Sequence, residues 1–331
     1  MLAKPLVYSG DDQPGYSRRR CGTGFSYRRA NGGPVTEEER TRLESLAIPP
    51  AWRDVWICAD PNGHIQATGI DARGRKQYRY HPLWRETRDQ HKFELLCGFA
   101  ELLPRIRRRF ARDIENEPGT PEFALAAVGL LLDTVPMRIG NSIYASENGS
   151  YGASTLRKNH VKFLDGAVRF SFRAKGGKRV QRTVRDRRLH KIMEKVADLP
   201  GRHLFSYIGR DGIVHPVRSD AFNAYLAEAA GSEDVSAKMF RTWAGSLAAF
   251  DAAGKDVFAG ARPTIKAMCE AAADVLSNTP AIARKSYVHP GIFGLSECEP
   301  DMSLGFFDCP PAHRRLTAME TRLEAYLART A

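Results

Sequence analysis

The six cysteines of this 331-residue chain (Cys21, Cys58, Cys97, Cys269, Cys298 and Cys309) include no Cys-x-x-Cys pair. Its nine histidines are equally scattered, with no His-x-x-x-His pair. Zinc-site spacing and a disulfide framework are both unsupported. No glycine-rich loop ends in Lys-Ser or Lys-Thr, and no acidic cluster suggests a metal site. Long apolar runs are also missing. The longest, Phe123 to Leu132, stops at Asp133 and is too short to span a bilayer. The opening Met1-Leu2-Ala3-Lys4-Pro5 has no apolar core of signal-peptide length. A soluble cytoplasmic protein is expected.

Positive charge is plentiful. The net charge is +12, and 37 of the 50 basic residues are arginine, whose planar fork suits phosphate oxygens. Residues 151–190 hold twelve basic side chains and only two acidic ones, Asp165 and Asp186. A solvated face normally mixes both signs. One-sign concentration points to a polyanion, with DNA or RNA the default partner.

The pattern along the chain implies an α+β protein of two domains. Residues 1–90 read as a mainly β domain, broken by Pro49-Pro50, Asp60-Pro61-Asn62-Gly63 and Asp71-Ala72-Arg73-Gly74. One short helix is expected at 35–46, capped by Thr36. A linker near 86–92 marks the boundary. Residues 91–331 read as mainly α, with helices at 90–116, kinked or divided at Pro104, and at 120–135. Further helices are expected near 185–197, 217–230, 235–251, 262–277, 281–288 and 312–329. Two hairpins, turning at Asp165-Gly166 and Gly176-Gly177, interrupt them and predict a three-stranded antiparallel sheet.

Five constellations could carry chemistry. Arg138 follows an apolar helix and is either functional or a bridge to Asp133. Lys175 sits at a Gly-Gly hairpin tip, where it is either a swinging proton donor or a solvated turn residue; Lys178 competes for its role. Lys238 and Arg241 share a helix face at i, i+3, and Met239, Phe240 and Trp243 can bury that helix. Two fixed cations on one face suit a phosphate between them. Asn278 lies at a helix junction, and Tyr287 follows it by nine residues, with Arg284 and Lys285 just before. Cations near a phenol favour the phenolate, though a capped helix ending in a packed aromatic is the other reading. Finally, Arg73, Arg75, Lys76, Gln77, Tyr78, Arg79 and Tyr80 form a basic, aromatic stretch. A strand there would place Gln77 and Arg79 on one face and Tyr78 and Tyr80 on the other, as a DNA contact or an ordinary edge strand.

The order Arg, hairpin Lys, Lys-x-x-Arg helix, then Asn with Tyr nine residues on, closely resembles the type IB DNA topoisomerases, in their poxvirus-like and bacterial branch. Ile48-Pro49-Pro50-Ala51-Trp52, Gln77-Tyr78-Arg79-Tyr80, Tyr151-Gly152-Ala153-Ser154-Thr155-Leu156-Arg157-Lys158 and Asn278-Thr279-Pro280 match as well, so the resemblance covers roughly residues 20–290. It implies that Tyr287 is a nucleophile that joins a DNA 3′ phosphate, that Arg138 and Arg241 clamp its nonbridging oxygens, and that Lys175 protonates the leaving 5′ oxygen. Asn278 stands where many members have histidine. A neutral amide can donate to a phosphate oxygen but supplies no proton. Lys238, Arg157 and Lys158 fall among the implied DNA contacts, together with residues 73 and 75–80. Arg284 and Lys285 become phosphate or helix-surface contacts.

The resemblance also implies no metal or nucleotide cofactor, and a monomer that clamps duplex DNA, associated with the nucleoid. Tyrosine recombinases share the fold and the tyrosine chemistry, but they usually carry histidine where this chain has Lys238. A non-catalytic DNA-binding protein remains the reading from a different class.

Overall fold

A computed structural model of the chain describes residues 5–307 and 315–330. Two compact units emerge, Met1–Lys92 and Phe93–Ala331. In the first, β1 (Gly15–Cys21), β2 (Gly24–Arg28), β3 (Arg53–Cys58), β4 (Ile65–Ile70) and β5 (Lys76–Tyr80) form one antiparallel sheet in the order β2-β1-β3-β4-β5. The helix α1 (Glu37–Ser45) starts where Thr36 and Glu39 close a capping box. Leu43 of α1 meets Ile48, Val55, Ile57 and Ala67 in a small core. Buried Arg18 donates to the carbonyls of Ile48, Pro49 and Trp52 at 2.8, 2.9 and 3.0 Å, which pins the Pro-Pro turn to the sheet.

The long helix α2 (Pro82–Asp113) begins in the first unit and ends in the second. The linker expected at 86–92 is therefore helical. Pro82 suits a first helical position, and the polar run that follows contains no glycine or proline to stop a solvated helix. Pro104 lies inside α2 without dividing it.

The second unit continues with α3 (Pro121–Thr134) and α4 (Ser142–Asn148). Next, β6 (Val161–Leu164), β7 (Ala167–Arg173) and β8 (Arg179–Val184) pair in chain order as the expected antiparallel sheet. Then come α5 (Arg187–Asp198), the two-stranded ladder of β9 (Ser206–Ile208) and β10 (Val214–Pro216), α6 (Ser219–Ala230), α7 (Ala237–Phe258), α8 (Ile265–Leu276), α9 (Pro280–Ser286), α10 (Pro300–Phe307) and α11 (Ala318–Thr330). The β9–β10 ladder, α4 and α10 were not expected, and α7 runs past the expected end at 251. Part of the helix expected at 312–329 falls at 312–314, outside the described residues.

Helix α7 crosses the core, where Phe240 and Trp243 pack edge-on against Phe99 of α2. A buried ionic network fastens it. Arg107 of α2 reaches Asp133 of α3 and Glu320 of α11, each at 2.8 Å, and the Trp243 indole donates to the same Glu320 at 3.1 Å. Thr317 N donates to the other Glu320 oxygen at 2.8 Å, so one carboxylate caps α11 and holds α7. Among the described residues, no helix is long and apolar enough to cross a membrane.

Candidate active site

Helix α8 ends in a turn that projects Asn278. Ser277 takes a left-handed conformation (φ 52°), and Asn278 N returns to Ala273 O at 2.9 Å. This closes the helix as a Schellman turn, with serine where glycine is usual. Thr279 then caps α9, and Pro280 occupies its first turn.

Arg241 comes to this turn from α7. Its side chain is 3 % exposed. It donates to Pro136 O and, at 3.1 Å, to Leu276 O, while its Nε is buried without a partner. Burial, with Arg138 adding repulsion, pulls the guanidinium below its usual pKa. An unpaired buried cation carries a desolvation cost of several kcal/mol. Here carbonyl dipoles, including the negative end of α8, and the Tyr287 side chain stand in for a counter-ion.

Arg138 follows α3 on an irregular segment. Ala153 N donates to its carbonyl at 2.8 Å, and Gly152 packs so closely that a Cβ there would lie 2.4 Å from Arg138 O. Asp133 is taken by Arg107, so the alternative bridge to Arg138 is not formed. The half-buried Arg138 instead reaches Asn278 Oδ1 at 3.4 Å. Asn278 Nδ2 is buried without a partner.

Arg138, Lys175, Lys178, Arg182, Arg241 and Asn278 line one cleft of about 370 Å³, and no carboxylate is among the lining residues. Lys175 is exposed at the hairpin tip, where Gly176 and Gly177 both have positive φ and a Cβ on Gly176 would meet nothing. Lys178 is engaged, donating to Ser277 O at 2.8 Å.

Tyr287 closes α9, half-buried, with the Arg241 guanidinium 4.9 Å from its ring centroid. Burial pushes the phenol up, but the nearby charges of Arg241, then Arg138 and Lys238, outweigh it and leave the pKa below its usual value. Lys238 is exposed, one turn before Arg241 on α7. Two residues invisible to sequence reasoning fix the tyrosine backbone. Ser246 Oγ donates to Tyr287 O at 3.2 Å and accepts from His289 N at 3.0 Å. A Cβ on Gly245 would lie 2.9 Å from Tyr287 O. Arg284 sits over the Phe293 ring at 5.5 Å, as a helix-surface residue would.

The remaining expected contacts are not among the residues that line the cleft. Arg157 sits over the Tyr151 ring at 5.3 Å, and Lys158 donates to Leu199 O. In the first unit, β5 is an edge strand, and Tyr78 and Tyr80 stack on one face at 6.0 Å. Arg75 and Gln77 both donate to Asp71, and Lys76 pairs with Asp11 at 2.6 Å, so these three are engaged within their own unit. Arg73 is exposed and Arg79 half-buried. Among the described residues, no three His, Cys, Asp or Glu side chains gather to hold a metal ion.

A family model of the bacterial DNA topoisomerase IB N-terminal domain matches residues 24–71, and one of the eukaryotic DNA topoisomerase I catalytic core matches 81–279. DNA topoisomerase 1B of Acanthamoeba polyphaga mimivirus is 34 % identical over 289 residues, covering 83 % of this chain and 85 % of that protein. DNA topoisomerase 1B of vaccinia virus (strain Copenhagen) is 21 % identical over 223 residues, covering 66 % of this chain and 68 % of its own. Tyr287 is not itself among the residues lining the cleft, though Arg241 joins the two. A core match over more than half the chain and a relative this similar along most of its length show the family: the chain belongs to the type IB DNA topoisomerases.

Proposed function

We propose that this type IB topoisomerase relaxes supercoiled duplex DNA with Tyr287 as its nucleophile. The phenol gives its proton to water, and its oxygen bonds to the phosphorus of one strand. The bond from phosphorus to the 5′ oxygen breaks, and that oxygen leaves with the electron pair and takes a proton from Lys175. The cut strand rotates, and the 5′ hydroxyl then attacks the phosphotyrosine in reverse. Because the phosphotyrosine bond conserves the energy of the broken linkage, the cycle calls for no nucleotide.

Arg138, Arg241 and Asn278 bind the nonbridging oxygens, where preorganised donors stabilise charge that develops in the transition state. The carrying observation is the pair of buried, unpartnered donors, Arg241 Nε and Asn278 Nδ2, the first on a guanidinium 4.9 Å from the ring of a tyrosine whose pKa is drawn down. A phosphate would satisfy both donors and neutralise the buried cation.

In the same reading, residues 1–90 and 91–331 act as the two arms of a monomeric clamp on nucleoid DNA. Lys238, Arg157, Lys158 and residues 73 and 75–80 contribute DNA contacts. Their affinity should fall steeply with salt, because each phosphate contact releases counterions.

Denaturing the enzyme on DNA should trap a 3′-linked adduct that peptide mapping assigns to Tyr287. Tyr287→Phe should bind DNA and form none. An adduct at another residue would overturn the assignment. Relaxation should proceed in excess chelator without ATP, and dependence on either would overturn the mechanism.

A further inference from the structure

The end of α8 collects more cations than the proposed chemistry uses. A helix leaves its last four carbonyls unpartnered, and they carry the negative end of its dipole. Leu276 O takes Arg241, as described. Asp274 O and Val275 O take Arg182 Nη2, the second at 3.2 Å, and Ser277 O takes Lys178 Nζ at 2.8 Å. Arg182 Nη2 also donates to Ser277 Oγ at 2.9 Å. It thereby holds a serine in a backbone region that side-chain-bearing residues enter only at a cost. Asn278 is the next residue.

Arg182 lies in β8, and Lys178 immediately precedes that strand. Side chains alternate along a strand, so Lys178, Val180 and Arg182 share one face, and all three line the cleft. The far end of this face is the hairpin tip. There Ala174 N donates to Lys178 O at 2.7 Å and Gly177 N to Ala174 O at 3.0 Å. Lys175 is thus carried on a short loop whose base is anchored through Lys178 to the turn that carries Asn278.

We propose that Arg182, seconded by Lys178, is a positioning residue that clasps the β7–β8 hairpin to the C-terminus of α8 and sets the place of Lys175 relative to Asn278. Without the clasp, the two consecutive glycines leave the tip free to carry Lys175 out of reach of the 5′ oxygen. The clasp spends the charge of Arg182 on helix carbonyls, so Arg182 serves proton delivery rather than DNA affinity. The inference rests on the reading of Lys175 as the proton donor.

Single-turnover cleavage separates these roles, using two duplexes that differ at a scissile position first mapped with the wild-type enzyme. One carries the natural 5′ oxygen and the other a bridging 5′ sulfur. A thiol has a pKa near 8.5, so a thiolate leaves without an acid. Lys175→Ala should be slow on oxygen and recover on sulfur; failure there would remove the proton-donor reading itself. Arg182→Ala should lose at least ~10-fold on oxygen, a fraction of what a general acid supplies, and recover most of it on sulfur. Its DNA affinity and salt slope should match wild type. Arg182→Lys should restore part of the loss, and Lys178→Ala should repeat the pattern more weakly, which guards against an Arg182→Ala chain that folds poorly. Equal slowing on both duplexes, wild-type rates on both, or weaker binding with a shallower salt slope would each overturn the proposal.

Discussion

Replacing Arg241 tests the charge balance of the cleft most directly. A guanidinium offers five N–H donors in a fixed fork. In Arg241 one is committed to Pro136 O and one to Leu276 O, and Nε–H has no partner. The unused donors and the full charge are what a phosphate would meet. Arg241→Ala removes a fixed, desolvated donor, a change that typically costs about 10²–10³-fold in rate, or ~2.7–4 kcal/mol. Arg241→Lys keeps the charge but has fewer donors, part of which the same two carbonyls would occupy, so it should fall between alanine and wild type. A second signature accompanies the loss. With Arg241 gone, burial acts on Tyr287 with less opposition, and its pKa moves up. In the proposed mechanism the ionised phenol attacks, so the rise of cleavage rate with pH should shift to higher pH in Arg241→Ala. Single-turnover adduct formation at saturating DNA, followed across pH, measures both effects. A variant within about tenfold of wild type, far short of the loss of one fixed donor, with its pH profile unmoved would refute the reasoning.

Three further outcomes follow from particular contacts. Asn278→His should keep plasmid relaxation, because imidazole can also donate to a phosphate oxygen, while Asn278→Ala should lose much of it; relaxation by Asn278→Ala at the wild-type rate would remove the residue from the site. Gly152→Ala puts a Cβ 2.4 Å from Arg138 O and 2.5 Å from Gly140 N, so the backbone must shift at about 1–3 kcal/mol. Its cleavage rate should drop while DNA affinity, read by filter binding, stays near wild type. Glu320→Ala leaves Arg107 and the Trp243 indole without a shared acceptor and should cost about 3–5 kcal/mol in urea unfolding. A loss below ~1 kcal/mol there would mean that water replaces the carboxylate.

The sequence made some of this architecture legible and hid the rest, for physical reasons. Gly176-Gly177 announced a turn, and the three-residue spacing of Lys238 and Arg241 announced a shared face. It could not show that one of these cations is exposed and the other buried, because that depends on how α7 meets α8. The hairpin that carries Arg182 was expected, but the helix end that Arg182 meets lies 92 residues on. The pairing of Asp133 with Arg107 rather than Arg138 was hidden similarly, since a helix-to-helix contact competes with a local one. The strands β9 and β10 are three residues each, too short for a period of two to register. Polar residues 86–92 looked like a linker because a solvated helix and a linker share a composition.

The carboxylate of Glu320 also bears on the order in which the working protein comes into being. It meets Trp243 across 77 residues and Arg107 across 213. A ribosome adding roughly 5–20 residues per second needs about 4–15 s to go from one end of the shorter span to the other. Throughout that interval the Trp243 indole lacks its acceptor, and the helix that carries Arg241 is not yet fastened. Helix α7 can thus be fastened to α2 and α3 through this carboxylate only after α11 has been made.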